Sequence, residues 1–355
     1  MRKRKIAVIF GGMSTEHDVS IVSGTSVIQN LKKEKYEIIP VYISKEGEWF
    51  IYKKPIDQIK VLTVGEQIQE KEKIENVIDL LKEVDVIFPV LHGLYGEDGS
   101  IQGLFELLHQ KYVGCNILSS SVCMDKVYAK VIFEKSGIPQ AKYVYLRKKA
   151  KNYYYIKEDF EEVPVSVEEI QKVVEEKLGY PVFIKPSNSG SSVGINKAHN
   201  AEELQQFVSY AAQFDSKILI EQNIEGREVE CAVLGNEEVK ASCVGEILPA
   251  EEFYTFDAKY KNAESRVMIP ASITEEESNT IRNFAKKAFQ AVDGSGLARV
   301  DFFIEKSSGK VMINEINTLP GFTQISMYPK LWEACGLFYT DLLDNLIDLA
   351  VTKQK

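Results

Sequence analysis

Two apolar runs joined by a turn constrain this 355-residue chain more than any other feature. Leu297 to Ile304 reads as a strand, Lys306-Ser-Ser-Gly309 as a turn cluster, and Lys310 to Ile316 as the returning strand. Side chains two apart on a strand share a face and sit roughly 6 to 7 Å apart. Glu315 and Asn317 therefore point together, with Ile316 directed the other way. Pairing of the two strands brings Asp301 to the same face, with Arg299 beside it. The flanking residues, Asp301-Phe-Phe-Ile304 and Val311-Met-Ile313, are apolar. The polar face thus borders a core, where unpaired charge is costly. Two carboxylates and an amide match the oxygen ligands of Mg²⁺, an ion that usually shares its shell with nucleotide phosphates. A solvated hairpin face is the alternative.

A chain of this length exceeds one small core, so two or three domains are expected. The first third alternates strands and helices: strand Ile6 to Phe10, a glycine turn, helix Asp18 to Leu31, strands Tyr36 to Ile43 and Val84 to Pro89, and helix Gly103 to Leu108. That βαβ rhythm implies a parallel, doubly wound sheet, Rossmann-like in outline, whose ligands bind beyond the carboxyl ends of its strands. Gly11-Gly12 and His92-Gly93 lie at that edge. A dinucleotide site is disfavoured, because Gly11-Gly12-Met13-Ser14-Thr15-Glu16 lacks the G-x-G-x-x-G spacing.

From about Ser121 a helix carries Lys126 and Lys130. Arg147 to Ser166 reads as a peripheral insertion or loop. Strand Val182 to Lys185, a hairpin return and helix Ala201 to Phe214 make a small α+β unit. The rest, from Lys217, is β-rich and ends in the amphipathic helix Tyr339 to Ala350. The expected fold is multi-domain α/β and α+β, divided 1–120, 121–215 and 216–355.

The net charge of −9 argues against nucleic acid or an anionic membrane as the main partner, although a local basic pocket for a nucleotide remains compatible with it. Cys115, Cys123, Cys231, Cys243 and Cys335 are scattered without metal-ligand spacing and read as buried free thiols of a reducing cytosol. The basic start, Met1 to Lys5, precedes an apolar run too short for a secretory leader.

Lys185 ends its strand and is followed by Pro186-Ser-Asn-Ser-Gly-Ser-Ser-Val-Gly194. A lysine followed by glycines and serines can wrap phosphate oxygens with backbone N–H groups and hydroxyls, although the Walker Gly-Lys-Ser/Thr is missing. Glu221-Gln-Asn-Ile224 and Gly226-Arg-Glu228 follow the apolar strand Ile218 to Ile220. An extended linker between two acids can pair with an adenine edge and take ribose hydroxyls.

Taken together the motifs resemble the D-alanine–D-alanine ligases of the ATP-grasp superfamily, in order from about Ile6 to Ala350. The resemblance rests on Gly11 to Ser20, Val90 to Gly99, Met124-Asp-Lys126, the Lys185 to Gly194 loop, Lys259-Tyr260, Arg299-Val-Asp301 and Asn314 to Thr323. It implies an N-terminal substrate-binding domain followed by a two-part ATP-grasp fold. It also implies ATP as co-substrate with two Mg²⁺ ions, or Mn²⁺, held by Asp301, Glu315 and Asn317, and allows a monovalent cation as activator.

On the same resemblance Lys126, Lys185 and Ser192 would serve ATP, and Glu221, Ile224 and Glu228 would line the adenosine pocket. Glu16 would anchor the ammonium of the first D-alanine and form a hydrogen-bonded group with Ser191 and Tyr260. His92 would lie near that substrate's carboxylate. Lys259 and Ser326 would meet the carboxylate of the second D-alanine, with Met327 as an apolar wall beside its methyl. Arg299 and the Gly321 N–H would stabilise the oxyanion. The segment Phe253 to Ser265 would cover the site. The product would be D-alanyl-D-alanine, for peptidoglycan precursors, made by a cytoplasmic homodimer. The alternatives are a related ligase with D-serine or D-lactate as acceptor, or a nucleotide-binding homologue that does not ligate. The last predicts a missing metal ligand or phosphate lysine, and none is missing.

Overall fold

The computed structural model describes residues 2–190, 193–248 and 266–353, and among these residues three sheets follow one another along the chain. The first comprises β1 (Arg4–Gly11), β2 (Tyr36–Ile43), β3 (Trp49–Tyr52), β4 (Lys71–Lys73) and β5 (Val86–Val90), in the order β4-β3-β2-β1-β5. β1 runs parallel to β2 and β5. Ile6 to Phe10 are all fully buried, as a strand covered on both faces requires.

The sheet is not wholly parallel, in contrast to the βαβ reading. β3 and β4 add to it antiparallel. Only residues 44–48 separate β2 from β3, too few for the crossover that a parallel pair needs.

Helix α1 (His17–Asn30) lies on this sheet at close range. Gly24 makes the approach possible, since a Cβ there would fall 2.3 Å from Phe10 Cβ. Helices α2 (Val77–Lys82) and α3 (Ser100–Leu107) flank β5 in sequence. The next stretch, expected as one helix, is two: α4 (Ile117–Met124) and α5 (Lys126–Lys135). The break is Asp125, whose backbone is extended and whose side-chain carboxylate accepts from the N–H groups of Val127 and Tyr128.

The second sheet has the order β10-β9-β11-β6-β7-β8. Its strands are β6 (Tyr143–Lys149), β7 (Asn152–Ile156), β8 (Glu162–Val165), β9 (Val182–Pro186), β10 (Asn196–Ala198) and β11 (Lys217–Gln222). Arg147 to Ser166 is therefore no loop; most of it forms an antiparallel meander, β6-β7-β8. Tyr153, Tyr155 and Val165 pack against the core of this sheet, which the charged residues between them obscure. Helices α6 (Val167–Lys177) and α7 (Ala201–Ala211) complete that core.

The third sheet, β14-β13-β12-β15-β16, comprises β12 (Gly226–Gly235), β13 (Lys240–Leu248), β14 (Arg266–Met268), β15 (Gly296–Glu305) and β16 (Val311–Asn317). Helix α8 (Glu275–Ala291) covers one face through Ile281, Ala285, Ala288 and Phe289. Then come α9 (Met327–Ala334) and α10 (Tyr339–Thr352).

Helix α10 returns to the first sheet, where Leu342, Leu343, Leu346 and Ile347 share one core with Ile6, Val8, Phe10 and Phe88. Asp344 on α10 accepts hydrogen bonds from Lys32, Lys35 and Tyr36 beside that contact. Three cysteines are buried as expected, but Cys243 is only partly buried and Cys335 is exposed, because it caps the end of α9. No helix among the described residues is long and apolar enough to cross a membrane.

Helix propensity alone would make Gly24→Ala stabilising by about 1 kcal/mol. The clash with Phe10 reverses the sign, and a loss of about 1–3 kcal/mol is expected by urea unfolding.

Candidate active site

The β15–β16 register pairs Asp301 with Glu315 and Arg299 with Asn317, so all four side chains share a face. Beyond Asp301 the register shifts by one residue, pairing Phe302 with Ile313 and leaving Asn314 as a bulge. The shift turns Val311, Ile313 and Ile316 all toward the core under α8 while Glu315 and Asn317 stay on the polar face. Arg299 grips Asp301 with two hydrogen bonds of 2.7 Å, its Nε lies 3.0 Å from Glu230 Oε2, and Asn317 donates to Asp301 at 3.0 Å. Burial works against the guanidinium's charge, but Asp301 and Glu230 overcome it and hold Arg299 more firmly protonated than usual.

Across from this face stands the end of the second sheet. Glu221, buried at the end of β11, lies 2.6 Å from Lys130 Nζ and 2.5 Å from Lys185 Nζ. Burial opposes its ionisation, yet Lys130 and Lys185 together hold its pKa at about 2. Burial lowers the pKa of Lys130, which lies deepest, while Glu221, Glu315 and Glu228 raise that of Lys185 against the same effect. Sequence reasoning passed over Lys130, although it stands one helical turn from Lys126, where i and i+4 share a face. Ile224 lies in the three-residue linker 223–225 between β11 and β12, and Glu228 follows on β12.

The glycine–serine loop is anchored at its start. Buried Asp125 accepts from the Ser187 hydroxyl at 2.6 Å and pairs with Lys217, while the Lys126 N–H donates to Ser187 O at 3.1 Å. Lys126 Nζ donates to Ser189 O at 2.7 Å and lies 3.9 Å from Glu315 Oε2. One lysine thus touches both the loop and the acidic face. Ser191, Ser192, Lys259 and Tyr260 lie outside the described residues, as does the whole segment Phe253 to Ser265.

A third group comes from the carboxyl edge of the first sheet. A cavity of about 170 Å³ opens there, bordered by Gly12, Ser14, Leu91 and His92. Glu16 is buried beside it, and its Oε2 would lie 2.6 Å from a Cβ at Gly93 and 3.0 Å from one at Gly190. Glycine at those two positions admits the carboxylate and lets it reach the loop that carries Ser191.

His92 bridges two units, with Nδ1 3.0 Å from Leu319 O and Nε2 3.0 Å from Ser23 Oγ. A carbonyl only accepts, so Nδ1 carries the proton and the neutral ring accepts from Ser23. Burial favours that neutral form and lowers the pKa. Glu97 was also missed. It accepts from the N–H groups of Gly93 and Leu319, and burial followed by nearby Glu16 pushes its carboxyl up to about 8. Protonated at neutral pH, it spares the site a second negative charge beside Glu16.

The segment 318–326 runs between these groups. Ser326 occupies the N-cap position of α9, yet its hydroxyl makes no cap bond. It turns back to Thr323 Oγ1 at 2.8 Å and would lie 3.2 Å from a Cβ at Gly321. Met327 is buried in the core beside Gly245 and Leu331, so its side chain is packing material rather than an open wall.

Arg299, the acid–amide trio, Lys126, Lys185 and Glu221 therefore line one cleft between the second and third sheets, with Glu16 and His92 entering from the first. Two family descriptions match this chain: "D-ala D-ala ligase N-terminus" over residues 5–115 and "D-ala D-ala ligase C-terminus" over residues 132–348. The chain belongs to the D-alanine–D-alanine ligase family.

Members of the family from Acetivibrio thermocellus and Clostridium acetobutylicum are each 50% identical, over 99% of this chain and 96% and 99% of their own lengths. Among solved structures, the VanG D-Ala:D-Ser ligase from Enterococcus faecalis superposes with a TM-score of 0.84 at 37% identity, covering 99% of this chain and all of that one. The D-alanine-D-alanine ligase from Coxiella burnetii gives 0.81 at 33%, over 99% of this chain and 94% of its own. The three sheets are thus an N-terminal α/β unit followed by the two parts of the ATP-grasp fold.

The D-alanine–D-alanine ligase family generally uses ATP and Mg²⁺. Among the described residues no three His, Cys, Asp or Glu form a self-sufficient metal cage. Two carboxylates and one amide suit an ion completed by phosphate oxygens and water, so the donor set fits Mg²⁺.

The Glu221 trio has a pH signature. Its depressed pKa contributes stability that is present above the ordinary carboxylate value and is lost as pH falls toward about 2. Lys130→Met should move that acid loss to higher pH and lower stability at pH 7 by about 1–3 kcal/mol in urea titrations. An unmoved acid limb would mean that Lys130 does not hold the charge.

Proposed function

We propose that this chain joins two D-alanine molecules into D-alanyl-D-alanine, splitting ATP to ADP and phosphate, and so supplies the dipeptide for peptidoglycan precursors. The observation that carries the reading is the meeting of three groups around the segment 318–326. These are the Arg299–Asp301–Glu315–Asn317 face, Lys126 with the glycine–serine loop, and Glu16 with His92.

The chemistry requires each of them. A carboxylate is a poor acyl donor, and ATP converts it to an acyl phosphate through positioning and charge stabilisation rather than covalent help from the protein. Lys126 and Lys185 bring positive charge to the phosphates, while Glu221, Ile224 and Glu228 line the adenosine side. Asp301, Glu315 and Asn317 would hold two Mg²⁺ ions, or Mn²⁺ in their place, which would supply charge neutralisation at the γ-phosphoryl group. Glu16 takes the ammonium of the first D-alanine, in a group completed by Ser191 and Tyr260, and His92 sits at its carboxylate end.

The amine of the second D-alanine then attacks the acyl phosphate. Arg299 and the Gly321 N–H stabilise the oxyanion, and loss of one such donor typically costs about 100- to 1,000-fold in rate. Lys259 and Ser326 receive the acceptor's carboxylate. An acyl phosphate hydrolyses in bulk water, so the site must close during turnover. The use of ATP as co-substrate supports a cytoplasmic reaction.

A second reading, with D-serine as acceptor, draws support from the likeness to the Enterococcus faecalis structure. Met327 packs inward, so it does not decide between a methyl and a hydroxymethyl group. The Lys259-Tyr260 pair favours D-alanine, by a margin of about 1 to 3 kcal/mol at most for so small a change.

ATP-dependent phosphate release against D-alanine, D-serine and D-lactate separates the readings. Release with D-alanine alone, yielding dipeptide, is expected, and silence with every acceptor would sink ligation itself. Glu315→Gln should nearly abolish turnover with the fold intact by circular dichroism. Near-normal turnover in that variant would overturn the metal assignment.

A further inference from the structure

Away from the cleft, two thiols meet where α9 packs on β13. Cys243 lies within β13 and is partly buried, whereas Cys335 follows the last residue of α9 and is exposed. They are 92 residues apart in sequence, yet the Cys243 N–H donates to Cys335 Sγ at 3.0 Å. The Cys243 thiol donates to Leu331 O, with Sγ 3.4 Å away. Burial and the neighbouring Cys335 push the Cys243 thiol up to about 12. The other three cysteines are buried, so Cys335 is the thiol that an external reagent reaches first.

We propose that Cys243 and Cys335 form a dithiol–disulfide pair that a small-molecule disulfide, such as glutathione disulfide, oxidises. Cys335 thiolate attacks one sulfur of the reagent; the reagent's S–S bond breaks, one thiolate leaves, and a mixed disulfide forms. Cys243 gives up its proton to solvent and attacks the Cys335 sulfur, and the second thiolate leaves. Two protein thiols are oxidised and one external disulfide is reduced to two thiols.

In a reducing compartment the pair rests as thiols. Its exposure makes it responsive when that poise shifts. The bond would tie the end of α9, which begins at Ser326 and Met327, to the third sheet. It would also close a long loop containing the whole β15–β16 hairpin.

The test treats the full chain with excess glutathione disulfide, then measures intact mass, peptide map and melting temperature. A mass lower by two hydrogens, a peptide pair joined through Cys243 and Cys335, and a melting temperature higher by several degrees are expected, all reversed by dithiothreitol. Cys243→Ser should stop at a glutathione adduct on Cys335, and Cys335→Ser should gain neither adduct nor bond. A stable adduct on the wild-type chain with Cys243 still open to alkylation, an unchanged mass, or a bond formed only between two chains would each overturn the proposal.

Discussion

The docking of the segment Leu319 to Phe322 between the first and third sheets is the constraint on which the catalytic arrangement depends. Phe322 is fully buried, with its ring 6.0 Å from Phe88 of β5, 5.6 Å from Tyr328 of α9 and 5.8 Å from Tyr339 of α10. Tyr339 donates to Phe322 O at 2.6 Å, and His92 holds Leu319 O. Aromatic rings packed at these separations contribute beyond their buried area. Together with the packing of α10 on the first sheet, this contact keeps Glu16 and His92 at a fixed distance from the polar face of the hairpin.

Charge in the cleft is paired nearly everywhere it is buried. Asp301 is held by Arg299 and Asn317, Glu221 by two lysines, and Asp125 by Lys217 and Ser187. Such pairs are weak evidence for stability, because the desolvation of two ions offsets most of their attraction. Their value lies in geometry. Lys185 is kept protonated and pointed at the cleft by an acid that is itself kept ionised, and Asp125 fixes where the glycine–serine loop begins. Glu97 is the exception, held neutral by burial and by the charge of nearby Glu16.

Much of this was legible in the residues. Alternation placed Asp301, Glu315 and Asn317 on one face, and the register agrees, because strand period is a local property that burial of Val300, Phe302 and Ile316 reinforces. The strands Tyr36–Ile43 and Val182–Pro186 announced themselves by β-branched and aromatic runs. What escaped notice depends on distant partners. The meander at Arg147 to Ser166 is rich in charge, and only its tyrosines reveal the face that packs. The antiparallel edge β3–β4 follows from a short connection rather than from composition. Lys130 carries no motif of its own, and Glu97, though inside the Val90 to Gly99 motif, is assigned no role by it; each matters through a neighbour remote in sequence, Glu221 or Leu319. Met327 packs into the core beside Leu331, a contact that its place in the sequence does not announce.

The bulge at Asn314 carries a lesson about insertions and deletions. β16 keeps its apolar residues inward at 311, 313 and 316, a spacing that works only because one extra residue interrupts the ladder. Were Asn314 instead drawn into a regular ladder, strict alternation from Val311 would put Glu315 in the core and Ile316 on the polar face. The hairpin can therefore drift in composition far more freely than in length, and its frame is inherited as a count of residues.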